Sequence, residues 1–181
     1  MNSWISNQRL IHGNNQCVDG IAIAQYYCMY GLNDTQQLTM TEDQLFDNIE
    51  SETTQQHYAD YLIAQEIVAN NYTGHSGKKL EVIGYEGSWG CVAKQSDPNE
   101  ANLTQLYDNM CHNQRVSDTV IDNLKTFHNI TGDTLFNMFS YIGWAQKYGD
   151  WGHLEYQDSY QNQNGVGGYK FMGIQKYLGV I

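Results

Sequence analysis

Two short apolar runs, VDGIAIAQYY (18–27) and LEVIGYEG (80–87), constrain this chain more than any other feature. Each is rich in Val, Ile or aromatic residues, too short for a packed helix, and bounded by Gly, Asn or Asp. Each therefore reads as a buried strand. A third run, TLFNMFSYIGW (134–144), is less purely apolar but reads the same way.

Helical patterns fill the intervals. Thr41 and Gln44 make a capping box, Glu42 and Asp43 suit a first turn, and Leu45, Phe46 and Ile49 form a stripe. A second helix is predicted from about Thr54 to Asn70, with Tyr58, Leu62, Ile63 and Ile67 inward. A third starts at Ser117, with Val120, Ile121, Leu124 and Phe127 at helical spacing. The last is GYKFMGIQKYLG (168–179), where Phe171, Ile174 and Leu178 share a face and Gly179 closes the end. QNQNGVGG (161–168) reads as a loop. The order β–αα–β–α–β–α implies an α/β fold with parallel strands and right-handed crossovers. The whole of 1–181 is expected to be a single segment.

Composition narrows the partners. The net charge is −11, and Arg9 is the only Lys or Arg before Lys78, so nucleic acid and anionic membrane surfaces are poor partners. No apolar stretch approaches the roughly 20 residues of a membrane-spanning helix, so a soluble chain is expected. Tyr and Trp are plentiful (14 and 4), and their flat faces with polar edges suit sugars as well as cores.

Cys17, Cys28, Cys91 and Cys111 contain no CxxC pair, which excludes a zinc ribbon or thioredoxin motif. Spacing leaves their pairing open, although Cys28 and Cys91 follow adjacent predicted strands and can meet. N-x-T sequons at Asn33, Asn71, Asn102 and Asn129 lean towards a secretory route and an extracellular location. MNSWISNQRL (1–10) has no apolar signal-peptide core, so a leader is expected outside this sequence.

Most motifs fail on inspection. GVGG (165–168) does not continue as a dinucleotide fingerprint, and EGSWG misses a nucleophile elbow because Glu86 replaces its first glycine. The six histidines show no HExxH; His128 and His153 read as surface or hydrogen-bonded residues. No metal or cofactor is expected. Three features remain. Glu86 ends a predicted parallel strand, where ligands and catalytic groups gather in α/β sheets. Tyr26 and Tyr27 end the first strand at the same level, and a phenol there can fix a carboxylate, or both rings can close a core. Trp144 and GDWGHLE (149–155) follow the third run, where a tryptophan can floor a sugar ring or pack a loop.

In this order, VDGIAIAQYY, MTEDQLFDNI, VIGYEGS, YGDWGHLE and GGYKFMGIQKYL resemble the carboxyl-terminal part of a clan-A (β/α)8-barrel glycoside hydrolase. Among these they are most similar to secreted proteins sometimes described as cellulose-binding. The resemblance covers nearly everything from Val18 onward. It implies a partial TIM barrel of about three parallel β/α units, from β6 to α8 of that barrel. It makes Glu86 the nucleophile of a retaining mechanism and Tyr26 the residue that orients it. Trp144, then Trp151, with Trp89 and Tyr27, would contact the sugar. Gln25 stands where the family usually has proline, and Ser88 replaces the second glycine of YEGG.

A retaining glycosidase needs two carboxyl groups about 5–5.5 Å apart. In the family the acid/base follows the fourth strand, which has no counterpart here, and Glu155 and Glu100 are weak substitutes. The chain is therefore expected to be a fragment of a hydrolase of β-linked polysaccharide, inactive alone. The alternatives are a non-catalytic carbohydrate-binding protein, and a half-barrel completed by its missing amino-terminal half or by a second copy.

Overall fold

The computed structural model describes residues 18–95, 97–144, 147–157, 159 and 168–181. Cys17, the 1–10 segment and nearly all of the 161–168 loop lie outside the described residues. The elements, in chain order, are β1 (Gly20–Tyr27), α1 (Asp34–Thr39), α2 (Glu42–Glu50), α3 (Glu52–Asn70), β2 (Glu81–Trp89), α4 (Glu100–Cys111), α5 (Arg115–Thr131) and α6 (Tyr169–Tyr177). None of these helices is long and apolar enough to cross a membrane.

Local chemistry sets most helix starts. Asn33 and Gln36 form a capping box on α1, and Thr41 and Gln44 form the expected one on α2. Ser51 ends α2 and caps α3 through Thr54 N, so α3 starts two residues before the sequence suggests. Gly132, at φ 75°, lets the chain leave α5 in a conformation that other residues avoid.

β1 and β2 pair in parallel, as expected, and form a two-stranded sheet. The expected partial TIM barrel is not observed: the described residues form a small α/β domain, without three parallel β/α units among them. The run at 134–144 shows why. It approaches β2 through Gly84 N→Leu135 O, Asn137 N→Gly84 O and Phe139 N→Gly87 O. From Ser140 onward its backbone turns to another partner, with Ser140 N→Trp151 O, Leu154 N→Tyr141 O and Gly143 N→Leu154 O. Hydrogen bonding divided between two partners leaves isolated bridges at Phe136 and Ile142, and no third strand among the described residues.

One sheet face packs on helices. Ile21, Ile23 and Val82 join Leu62 and Phe127 in one cluster. Tyr27 and Trp89 join Leu45, Phe46, Leu103, Met110, Val116 and Val120 in the other. Two helices turn differently from expectation. On α3, Leu62 is buried but Ile63 and Ile67 are exposed, because Thr54 and Ala69 complete the inward face. On α6, Leu178 is exposed and Gly173 faces α5, where a Cβ would lie 2.5 Å from Ser117 O. Close helix approach, not apolar content, chose that face.

Cys28 and Cys91, just past the strand ends, form a disulfide, while Cys111 is a buried free thiol. A bridge closing a loop of that length is worth about 4 kcal/mol in the chain-entropy account.

Candidate functional site

Which face Glu86 occupies is decided by one residue. Ile21 pairs with Val82 and Ile23 with Gly84, but Ala24 then pairs with Glu86, leaving Tyr85 as an extra residue in a β-bulge. Side chains alternate along a strand. Before the bulge the helix-facing residues of β2 are even-numbered, as with buried Val82; beyond it they are odd-numbered, as with buried Trp89. Glu86 therefore joins Ala24, Tyr26 and Ser88 on the face away from the main core.

There the Tyr26 phenol lies close enough to the Glu86 carboxylate for the two to interact. Partial burial, reinforced by the negative charge of Glu86, pushes the Tyr26 phenol up to about 12, so it stays protonated. The Trp151 ring meets Tyr26 edge-on at 5.0 Å between centroids, and Phe139 lies 6.2 Å from Trp151. Trp151 Nε1 donates to Tyr148 O at 3.0 Å. Its indole lies over Gly149 (φ 128°), where a Cβ would approach to 2.4 Å. The first glycine of GDWG is thus there for the indole, whereas Gly152 makes room for the Gly143 backbone, whose N and O a Cβ would meet at 2.3 Å. Gly87 has a similar reason: a Cβ would meet Gln25 O at 2.3 Å and the Phe136 ring at 2.6 Å.

Next to Glu86 lies a buried pair that the sequence did not disclose. Ser88 Oγ is 2.9 Å from His153 Nε2, and His153 Nδ1 bonds Ser140 O. Burial first, then the charge of Lys170, pushes His153 down to about 4. The ring is therefore neutral: Nδ1–H donates to the carbonyl and Nε2 accepts from Ser88. Both residues are almost inaccessible, at 0% and 2%, so the pair clamps β2 to the 149–155 loop and offers no open nucleophile. Ser88 has φ 144°, a region that favours glycine, and the hydrogen bond to His153 offsets that strain. His153 is hydrogen-bonded, as its sequence allowed, but it is not at the surface. His128 also has partners, in Leu124 O and Tyr177 Oη.

The structure thus gathers Glu86, Tyr26 and Trp151 and separates the other candidates from them. Trp144 is 65% exposed on the run that follows β2's edge. Trp89 and Tyr27 are core residues. Trp89 is fully buried against Tyr27 and Phe46, and the Tyr27 hydroxyl meets Thr119 Oγ1 at 3.4 Å. Neither is open to a sugar. Of the weak acid candidates, Glu155 is held by His112, and Glu100 opens α4. Asn33, Asn71, Asn102 and Asn129 are all exposed, which glycan attachment requires. Gln25 is buried with its Nε2 unpartnered among the described residues.

Compared with known proteins, the chain matches no family model, no curated protein and no solved structure.

Proposed function

We propose that Glu86 is the nucleophile of a retaining glycoside hydrolysis on a β-linked polysaccharide. Its acid/base carboxyl would come from outside the described residues, in another polypeptide segment or a second copy of the chain. The observation that carries this reading is the Tyr26 phenol set against the Glu86 carboxylate on the face the bulge selects, with Trp151 packed on Tyr26. In that chemistry a Glu86 oxygen bonds the anomeric carbon as the glycosidic C–O bond breaks. The phenol fixes the carboxylate and releases it as its charge is consumed. The indole supplies an apolar face for a sugar ring. The disulfide and the four exposed sequons support an extracellular setting.

A second reading, glycan binding without turnover, draws on the exposed rings of Trp144, Tyr141 and Tyr85. In it Glu86 accepts hydrogen bonds from sugar hydroxyls.

One experiment separates the two. A dinitrophenolate leaving group needs no protonation, so a 2,4-dinitrophenyl 2-deoxy-2-fluoro-β-glycoside tests the nucleophile without its acid partner. The hydrolase reading expects one covalent glycosyl adduct by intact mass, mapped to Glu86 and lost in Glu86→Gln. Binding of a β-linked oligosaccharide with no adduct would replace the hydrolase by the binding protein. Neither adduct nor binding would remove both.

A further inference from the structure

On another side of the same loop, three side chains with metal-ligand chemistry converge. Asp108 and His112 stand one helical turn apart at the end of α4, and Glu155 comes from the segment beyond Trp151. One donor atom from each lies within 4.8 Å of the others. Glu155 Oε1 contacts His112 Nε2. Asp108 Oδ1 lies 3.6 Å from His112 Nδ1, outside hydrogen-bonding range. That oxygen is shut off from solvent and has no hydrogen-bond partner among the described residues. An orphaned carboxylate oxygen is costly and needs a water or an ion to account for it.

The surroundings favour an ion. Asp108, His112 and Glu155 are among the residues bordering a small space of about 10 Å³, close to what one water or ion fills. Lys170 borders it too, but its ammonium donates to Asp150 O. Next to it opens a cavity of about 550 Å³ that shares Asp108 and Asp150 and adds Asp97 and Glu100, against one lysine, Lys147. A cleft with four carboxylates and one ammonium concentrates cations at its floor.

We propose that Asp108, His112 and Glu155 bind one divalent transition-metal cation of the Zn2+ type, with water completing its shell. Two carboxylates and a neutral imidazole balance a 2+ charge, and the imidazole selects a first-row transition ion over Ca2+ or Mg2+. The ion ties α4 to the loop that carries Trp151 and His153, and so steadies the ring packed on Tyr26. The site does not depend on the glycosidase reading.

The test uses the full chain without a histidine tag, stripped by chelator and titrated calorimetrically with Zn2+, then Mn2+ and Ca2+. Expected are one equivalent of Zn2+ at micromolar affinity or tighter, much weaker Ca2+ binding, and a rise in Tm reversed by EDTA. His112→Gln and Glu155→Gln should each weaken Zn2+ by at least about tenfold, the scale seen when metal sites lose supporting groups. X-ray absorption of the Zn2+-loaded wild-type chain covers the case in which the variants do not fold. It should show a shell of nitrogen and oxygen only, with one imidazole. No saturable binding, sulfur in the shell, or affinity unchanged in both folded variants would overturn the proposal.

Discussion

Tyr26 and Tyr27 are consecutive residues of one strand, and each meets a tryptophan edge-on: Trp151 for the first, Trp89 for the second. There the likeness stops. Tyr27 is sealed in the core with its hydroxyl on Thr119, whereas Tyr26 lies across the sheet with its phenol near the Glu86 carboxylate. The same pair of residue types builds structure on one face and a site on the other. What separates them is the group that the phenol faces. A threonine hydroxyl makes a neutral bond inside a core; a carboxylate presents a charge that chemistry can consume.

The comparison can be broken at several points. The largest effect belongs to the sealed face: Trp89→Ala should cost about 3–5 kcal/mol in urea unfolding, and Trp151→Ala far less. Equal costs would mean that Trp151 is core as well. Replacing Cys28 and Cys91 by serine should cost about 4 kcal/mol, from the loop the bridge closes. Tyr27→Phe loses one buried hydroxyl bond, about 1 kcal/mol in the same assay. Tyr26→Phe should leave stability nearly unchanged yet slow glycosyl labelling of Glu86 roughly tenfold, the scale of one lost orienting interaction. If labelling is unaffected, the Tyr26–Glu86 interaction has no part in the chemistry.

The smallest effect is a titration. With tyrosine side chains carbon-labelled for NMR, Tyr26 should titrate near 12 and Tyr27 should remain protonated beyond it. Glu86→Gln removes a negative neighbour and should move Tyr26 down towards 10. The sign for stability follows. Tyr26 is raised above its unfolded value, so its contribution is whole below pH 10 and is lost as pH rises through about 12. Unfolding at fixed urea should therefore steepen with alkali less in Tyr26→Phe than in the wild-type chain.

Local signals were legible in the sequence. Both strands, their parallel pairing and the α2 capping box could be read from neighbouring residues. Glu86 was expected at the end of its strand, but β2 runs on to Trp89, because the bulge at Tyr85 lets Gly87 and Ser88 continue the pairing with Gln25 and Tyr26. Asn33–Gln36 and the spacing of Leu103, Tyr107 and Met110 were equally local signs of α1 and α4, and went unread. What depended on distant partners was hidden. Ile63 and Ile67 look like an inward stripe until Thr54 and Ala69 are seen to take that face. The 134–144 run reads as a strand until its backbone is found shared between β2 and the 151–154 segment. Ser88 and His153 lie 65 residues apart, so no spacing rule joins them. Trp89 and Trp151 have equally polar-flanked sequences, and only the alternation of a folded strand tells a core indole from a site indole.

That alternation is a matter of parity, and parity can be reset by a single residue. Without Tyr85 as a spare, Glu86 would take Gly87's place in the register, opposite Gln25, and bring a carboxylate to the packed side. Trp89 would leave its pocket in the same step. Whether one extra residue bulges out or stays in the ladder thus exchanges inside and outside for everything after it. A chain of this kind can acquire or lose a reactive group without substituting any residue.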